Sequence, residues 1–168
     1  MRGKTLFLLT AAFCVLIMFT GCGNSPDAFI TVKLPSESGG AKLGMNRDDI
    51  NSVLLVQTSA LREYGLDLKW ADEKNQDNCI AMIITARALQ TVAGLSLDTP
   101  KDKIVTMYQK DTDVKVLTND TKIVLGKQIG GVNYAIAVRF YDDQTIKSIT
   151  VYNADLYTDN DADYQQQQ

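Results

Sequence analysis

Two alternating stretches near the end of the chain constrain its fold more than any other feature. Residues 132–141 and 146–152 alternate large apolar side chains with others, and four turn-forming residues separate them. A two-residue turn at Asp143-Gln144 places the large apolar residues of both stretches on one face, pairing Val138 with Ile149 and Ile136 with Val151. A shift of one residue destroys this match. The pattern predicts an antiparallel hairpin that turns one face to the core.

The opposite face of this hairpin is unusual for a surface that meets water. It carries few charges, and its residues are Ala135, Ala137, Arg139, Tyr141, Ile146, Ser148, Thr150 and Tyr152. Tyrosine and arginine are enriched among the residues that dominate interface energetics. We therefore predict a protein-binding face formed by Arg139, Tyr141, Tyr152 and Ile146. The alternative is that residues 29–34 or 111–118 cover this face and leave nothing to bind.

Earlier in the chain, a short helix followed by strands occurs twice, over about residues 42–93 and 94–154. In the first helix Asn46 is the predicted N-cap, and in the second Thr99 is the N-cap with Pro100 in the first helical position. Apolar residues follow both caps at helical spacing, Ile50, Val53 and Leu54 in the first helix and Ile104, Val105, Met107 and Tyr108 in the second.

The predicted strands after these helices are less regular. Residues 64–70 alternate, with Tyr64 and Trp70 in phase with the apolar positions, and they turn back into an apolar strand at 79–85. In the second half we predict a short strand at 122–125 and a glycine-rich hairpin connection at 126–131.

The first residues of the chain have a different character. An apolar run from Leu6 to Phe19 follows Arg2 and Lys4 and ends in Thr20-Gly21-Cys22. The run is about 14 residues long, whereas a bilayer core needs about 20. Positions 19–22 resemble the cleavage site (lipobox) of bacterial lipoprotein signal peptides. The resemblance implies that residues 1–21 are removed, that Cys22 is lipidated, and that the chain is anchored at the extracytoplasmic face of the cell membrane.

A second resemblance covers roughly residues 41–153. Leu-Gly-Met-Asn-Arg-Asp-Asp-Ile at 43–50 and Gly-Leu-Ser-Leu at 94–97 lead into the two helices. With the repeated order of helix and hairpin, they are similar to the SmpA/OmlA (BamE-like) and beta-lactamase-inhibitor-protein-like repeats of envelope lipoproteins. This resemblance implies an α+β fold with helices packed on one face of an antiparallel sheet, used for protein contacts rather than catalysis.

Composition excludes several kinds of chemistry. The chain has no histidine, which removes histidine-dependent catalysis and histidine-ligated metal. After cleavage Cys79 would be the one thiol besides Cys22, so neither a disulfide nor a thiolate metal site is expected. We predict that Cys79 is a buried apolar residue rather than a reactive thiol. Seventeen Lys and Arg against 20 Asp and Glu leave no basic stripe for nucleic acid. We expect no enzyme activity, cofactor or metal.

These inferences divide the chain into four parts. They are the signal peptide at 1–21, a lipidated tether at 22–41 with a possible edge strand at 29–34, one α+β domain at 42–154, and a disordered acidic and glutamine-rich tail at 155–168. The expected function is that of a membrane-anchored protein-binding or adaptor module that acts on another envelope protein. The alternative is a receptor for a small molecule or a cell-wall ligand, with a pocket between the helices and the sheet.

Overall fold

A computed structural model describes residues 25–33, 39–55 and 58–159. The expected signal peptide and lipidation site at Cys22, and residues 160–168 of the expected tail, lie outside the described residues. The described chain forms the helices α1 (Pro26–Phe29), α2 (Arg47–Leu54), α3 (Thr58–Leu61) and α4 (Lys101–Tyr108). Its strands are β1 (Thr31–Lys33), β2 (Ala41–Lys42), β3 (Leu66–Asp72), β4 (Asp77–Ile84), β5 (Gln90–Thr91), β6 (Lys115–Thr118), β7 (Lys122–Ile129), β8 (Val132–Phe140) and β9 (Ile146–Asn153).

The strands form two antiparallel sheets, which confirms the α+β class. The larger sheet has six strands in the order β3-β4-β9-β8-β7-β6, and the smaller has three in the order β2-β1-β5. Buried residues of the helices, of the small sheet and of one face of the large sheet belong to a single apolar core. We call this face of the large sheet its inner face, and the opposite one its outer face.

The predicted register of the last hairpin is confirmed. Val138 pairs with Ile149 and Ile136 with Val151, and all four side chains are buried on the inner face. Period-two alternation places them there because successive residues of a strand point to opposite sides of the sheet. β4 then adds Met82 beside Val151 in the same layer.

The first predicted helix begins as expected. The Asn46 side-chain oxygen accepts a hydrogen bond from the Asp49 backbone N–H at 2.9 Å. Asp48 and Asp49 lie in the first turn, where negative side chains interact favourably with the helix dipole. Ile50 and Leu54 are buried in the core. Leu55 ends the helix in the left-handed region, with φ of 53°.

The predicted cap of the second helix is wrong by one residue. α4 begins at Lys101, so Pro100 occupies the N-cap position with an extended backbone and makes no side-chain capping bond. The Thr99 hydroxyl instead accepts a hydrogen bond from the Ser96 N–H at 3.0 Å. Thr99 therefore closes the turn before the helix. Ile104 and Tyr108 are buried, as their spacing predicts.

Residues 25–33 do not form a free tether. Phe29, predicted to begin an edge strand, ends α1 instead, and β1 lies in the centre of the small sheet between β2 and β5. The Phe29 ring packs edge-to-face on Tyr108, with ring centroids 5.9 Å apart, and Val32 is fully buried. Apolar contacts with α4 thus incorporate this segment into the core.

Strand boundaries, one edge strand and one side chain also differ from prediction. β7 continues through Gly126 to Ile129, so the turn into β8 is confined to Gly130-Gly131, both with positive φ. Residues 115–118 form the unpredicted edge strand β6. Tyr64 is 60% exposed, because β3 begins only at Leu66 and Tyr64 lies in the preceding turn. Trp70 is buried in the core, as predicted.

Candidate functional site

The structure separates the four residues that were predicted to form one face. A bulge follows Arg139, so that Arg139 pairs with Ser148 but Phe140 pairs with Ile146, leaving Lys147 as the extra residue. Ile146 therefore joins Phe140 in the core instead of lying beside Tyr141, and its expected position is wrong. Arg139 and Tyr152 lie on the outer face in the predicted phase. Tyr141 follows β8 in the hairpin loop and is 53% exposed.

Within the described residues, the outer face is covered by neither of the two segments considered from sequence, 29–34 and 111–118. β1 belongs to the small sheet and β6 is an edge of the large one. The covering residues are 154–159, which follow β9 and fold back over the face; we call them the C-terminal segment. They include residues 155–159 of the expected disordered tail, and that part of the prediction is wrong.

Hydrogen bonds fold the start of the C-terminal segment against the end of the hairpin. The Ala154 N–H donates to the Asn133 carbonyl at 2.8 Å, and the Tyr157 N–H donates to the Asn153 carbonyl at 2.9 Å. The Asp155 carboxylate accepts from the Asn133 side-chain amide at 2.8 Å and from its backbone N–H at 2.9 Å. These bonds favour the charged form and lower the pKa of Asp155.

Apolar packing holds the middle of the segment. The Tyr157 ring meets Tyr152 edge-on, with centroids 5.8 Å apart and planes at 67°. Around this pair the face is built from the small residues Ala81, Ala135 and Ala137, all buried. The small alanine side chains leave space on the face for the Tyr152 ring, which is only 8% exposed.

A buried ion cluster holds the end of the segment. The Asp159 carboxylate oxygen Oδ2 lies 2.8 Å from Lys122 Nζ and 2.8 Å from Arg139 Nη2. The Arg139 guanidinium also donates to the Asp159 carbonyl at 3.2 Å. The Asp159 side chain is 2% exposed and that of Arg139 is 11% exposed. Such desolvated ion pairs are sensitive to the loss of one partner.

The edge strand β6 is a second surface that is exposed to solvent. It pairs with β7 on one side and ends the large sheet on the other. All four of its residues are exposed, including Val116 and Leu117, which is 71% exposed. Nearby, Lys127 donates a hydrogen bond to Asp111 in the segment before β6, which lowers the pKa of that carboxyl.

Tyr141 lies at a third feature, a polar groove of about 550 Å³ between the start of α4 and the β8-β9 loop. Its walls carry both charges, from Arg87, Lys101 and Lys147 and from Asp98 and Asp143. Lys101 Nζ lies 4.7 Å from the Phe140 ring centroid and also donates to Gln144. Of these five charged side chains, Arg87, Asp98 and Asp143 are exposed to solvent.

Cys79 is buried, and burial raises the pKa of its thiol to about 12, as expected of a buried apolar residue. Among residues 25–33, 39–55 and 58–159, no three acidic or cysteine side chains cluster to hold a metal ion. Within the same residues, no helix has the length and apolar character to span a membrane.

Sequence reasoning missed Lys122, Tyr157 and Asp159 as parts of the outer face. The alanines and uncharged residues of the hairpin showed that something could cover this face, but not which segment. No protein-family model, curated protein or solved structure matches this chain.

Proposed function

We propose that this protein is a membrane-anchored extracytoplasmic lipoprotein that serves as a protein-binding or adaptor module of the cell envelope. The lipobox pattern ending at Cys22 supports the anchor and the location. The proposed fold is two tandem repeats, α2 with β3-β4 and α4 with the strands from β6 to β9, joined where β4 pairs with β9.

The observation that carries the binding function is the exposed edge strand β6. An edge strand presents backbone N–H and C=O groups that can pair with an extended segment of another protein. Natural proteins usually protect such edges, yet among the described residues β6 is paired on one side only, and it carries the exposed apolar side chains of Val116 and Leu117. Strand addition at β6 would extend the six-stranded sheet and cover both residues.

Site-specific crosslinking on intact cells tests this proposal. A photo-reactive amino acid at Leu117 should give a discrete adduct with an envelope protein, and the same residue at Leu55 should not. Leu55 is a matched control because it is an exposed leucine, 79% exposed, at the end of α2 and outside the large sheet. Adducts at both positions, or at neither, would contradict binding at the β6 edge.

The polar groove favours a second candidate function, a receptor for a small molecule or a cell-wall ligand. Its volume lies within the usual range of ligand pockets. Calorimetric titration with soluble cell-wall fragments should then give binding that Tyr141→Ala weakens, since Tyr141 forms part of the wall. Binding that Tyr141→Ala leaves unchanged would exclude the groove as the site.

A further inference from the structure

We propose that the outer face of the large sheet is a receptor for an acidic aromatic segment of a partner protein, and that residues 157–159 of this chain occupy it until the partner displaces them. The partner segment would carry an aromatic residue followed two positions later by a carboxylate, as Tyr157 and Asp159 do. This surface is separate from the β6 edge and does not depend on it.

The first support is a row of donors that crosses three strands. Lys122 on β7 pairs directly with Arg139 on β8, and Arg139 pairs with Ser148 on β9. Residues directly opposite each other in a sheet project to the same side, so all three side chains point to the outer face. Two like charges directly opposite each other destabilise a sheet unless an anion lies between them. The row is therefore built to bind a carboxylate.

The second support is that the row has more donors than the Asp159 carboxylate uses. Ser148 is fully buried, and its hydroxyl has no hydrogen-bond partner among the described residues. A buried polar group without a partner costs about 1–3 kcal/mol. Another carboxylate that also accepts from Ser148 would recover part of this cost, which gives a partner segment an advantage over the chain's own residues.

The third support is the way in which the C-terminal segment is attached. Its start is held by hydrogen bonds to Asn133 and Asn153 at the end of the hairpin. Tyr157 and Asp159 then lie over the face of the sheet, where they contact side chains of Tyr152, Arg139 and Lys122. Segments that are not hydrogen-bonded as strands of a sheet have a lower free-energy cost of local opening than the sheet on which they lie. The segment can thus leave the face while the sheet remains folded.

Because residues 157–159 are covalently linked to the sheet, they have a high local concentration at the outer face, and a partner must compete with it. A segment joined by a short flexible connection has an effective concentration of the order of 1 mM at its site. For a free peptide with a Kd of about 100 μM, the chain's own segment would reduce binding about tenfold. A partner anchored on the same membrane gains a comparable local concentration and can compete.

A peptide-binding measurement on the full chain tests the proposal. The probe is a fluorescent, C-terminally amidated peptide that copies residues 153–159, followed by fluorescence anisotropy. The double variant Y157A/D159N should bind it at least tenfold more tightly than the unmodified chain. The matched control is Y141A/D143N, which makes the same two substitutions at the same spacing in the exposed hairpin loop. It should bind this peptide with the affinity of the unmodified chain, because the polar groove that Tyr141 lines is separate from the outer face.

Three results would overturn the proposal. The double variant could fail to bind the peptide, all three proteins could bind it equally, or a peptide with the same tyrosine and aspartate replaced could bind as well. A concentration-dependent dimer of the unmodified chain that the double variant lacks would instead assign the face to a second copy of the chain.

Hydrogen exchange on the unmodified chain gives an independent test that does not depend on the folding of a variant. The hydrogen-bonded amide of Tyr157 should exchange at least tenfold faster than those of the central residues of β9, because residues 157–159 leave the face while the sheet stays folded. Exchange at the same rate as β9 would mean that the segment leaves only on global unfolding, and the proposal would be wrong.

Discussion

Replacement of Tyr152 by alanine should destabilise this protein far more than the same change at Tyr141. Tyr152 is 8% exposed and packs against Tyr157, whereas Tyr141 is 53% exposed. An aromatic side chain buries about 150–250 Å², which at about 25 cal/mol per Å² amounts to about 4–6 kcal/mol. Residual structure in the unfolded chain and the retained alanine reduce this amount, so we expect a loss of about 3 kcal/mol for Tyr152→Ala.

The expected loss for Tyr141→Ala is below about 1 kcal/mol, because about half of the ring already meets water and exposed sites tolerate substitution. The Lys147 ammonium lies 5.8 Å from the ring centroid, and such a contact contributes about 0.5–1 kcal/mol at an exposed site.

Urea unfolding of the two variants and the unmodified chain, followed by circular dichroism, measures both losses. For a chain of this length, a loss of 3 kcal/mol also lowers Tm by about 6–12 °C. Equal losses within about 0.5 kcal/mol would refute the reasoning, since Tyr152 would then be as accessible as Tyr141 and the outer face would not be covered.

Three further predictions test the anchor, the thiol and the first helix. Cys22→Ala should release the protein from membranes on fractionation with a high-salt wash; retention would mean a different anchor. Cys79 should resist a thiol reagent near neutral pH until urea is added, and rapid labelling of the folded chain would show an exposed thiol. Because the pKa of Cys79 rises from 9.0 to about 12 on folding, its contribution to stability should be complete below pH 9 and fall as the pH rises towards 12. Urea unfolding at several pH values measures this fall. Asn46→Ala should cost about 1 kcal/mol in the same unfolding assay by removing the bond to the Asp49 N–H, whereas the control Ser52→Ala, at an exposed position in the same helix, should be nearly neutral.

The alternation of side chains was sufficient to predict much of the framework. The pairs Val138 with Ile149 and Ile136 with Val151 followed from period two and a short turn, because a one-residue slip would move every apolar side chain to the wrong face. Asn46 as a helix cap and the burial of Ile50 and Ile104 followed in the same way, since capping and helical spacing are local properties.

Features that depend on contacts distant in sequence were decided only by the tertiary structure. The bulge after Arg139 moved Ile146 into the core, where it packs with Phe140 and its apolar side chain is removed from water. Residues 155–159, which begin and end with aspartate, were predicted to belong to a disordered tail, and only the fold places Lys122 and Arg139 side by side on adjacent strands. A carboxylate is attracted to that position only after the two cations have been brought together there. Lys122 and Arg139 come together through strand pairing, and the residues next to Asp159 in the sequence carry no sign of it.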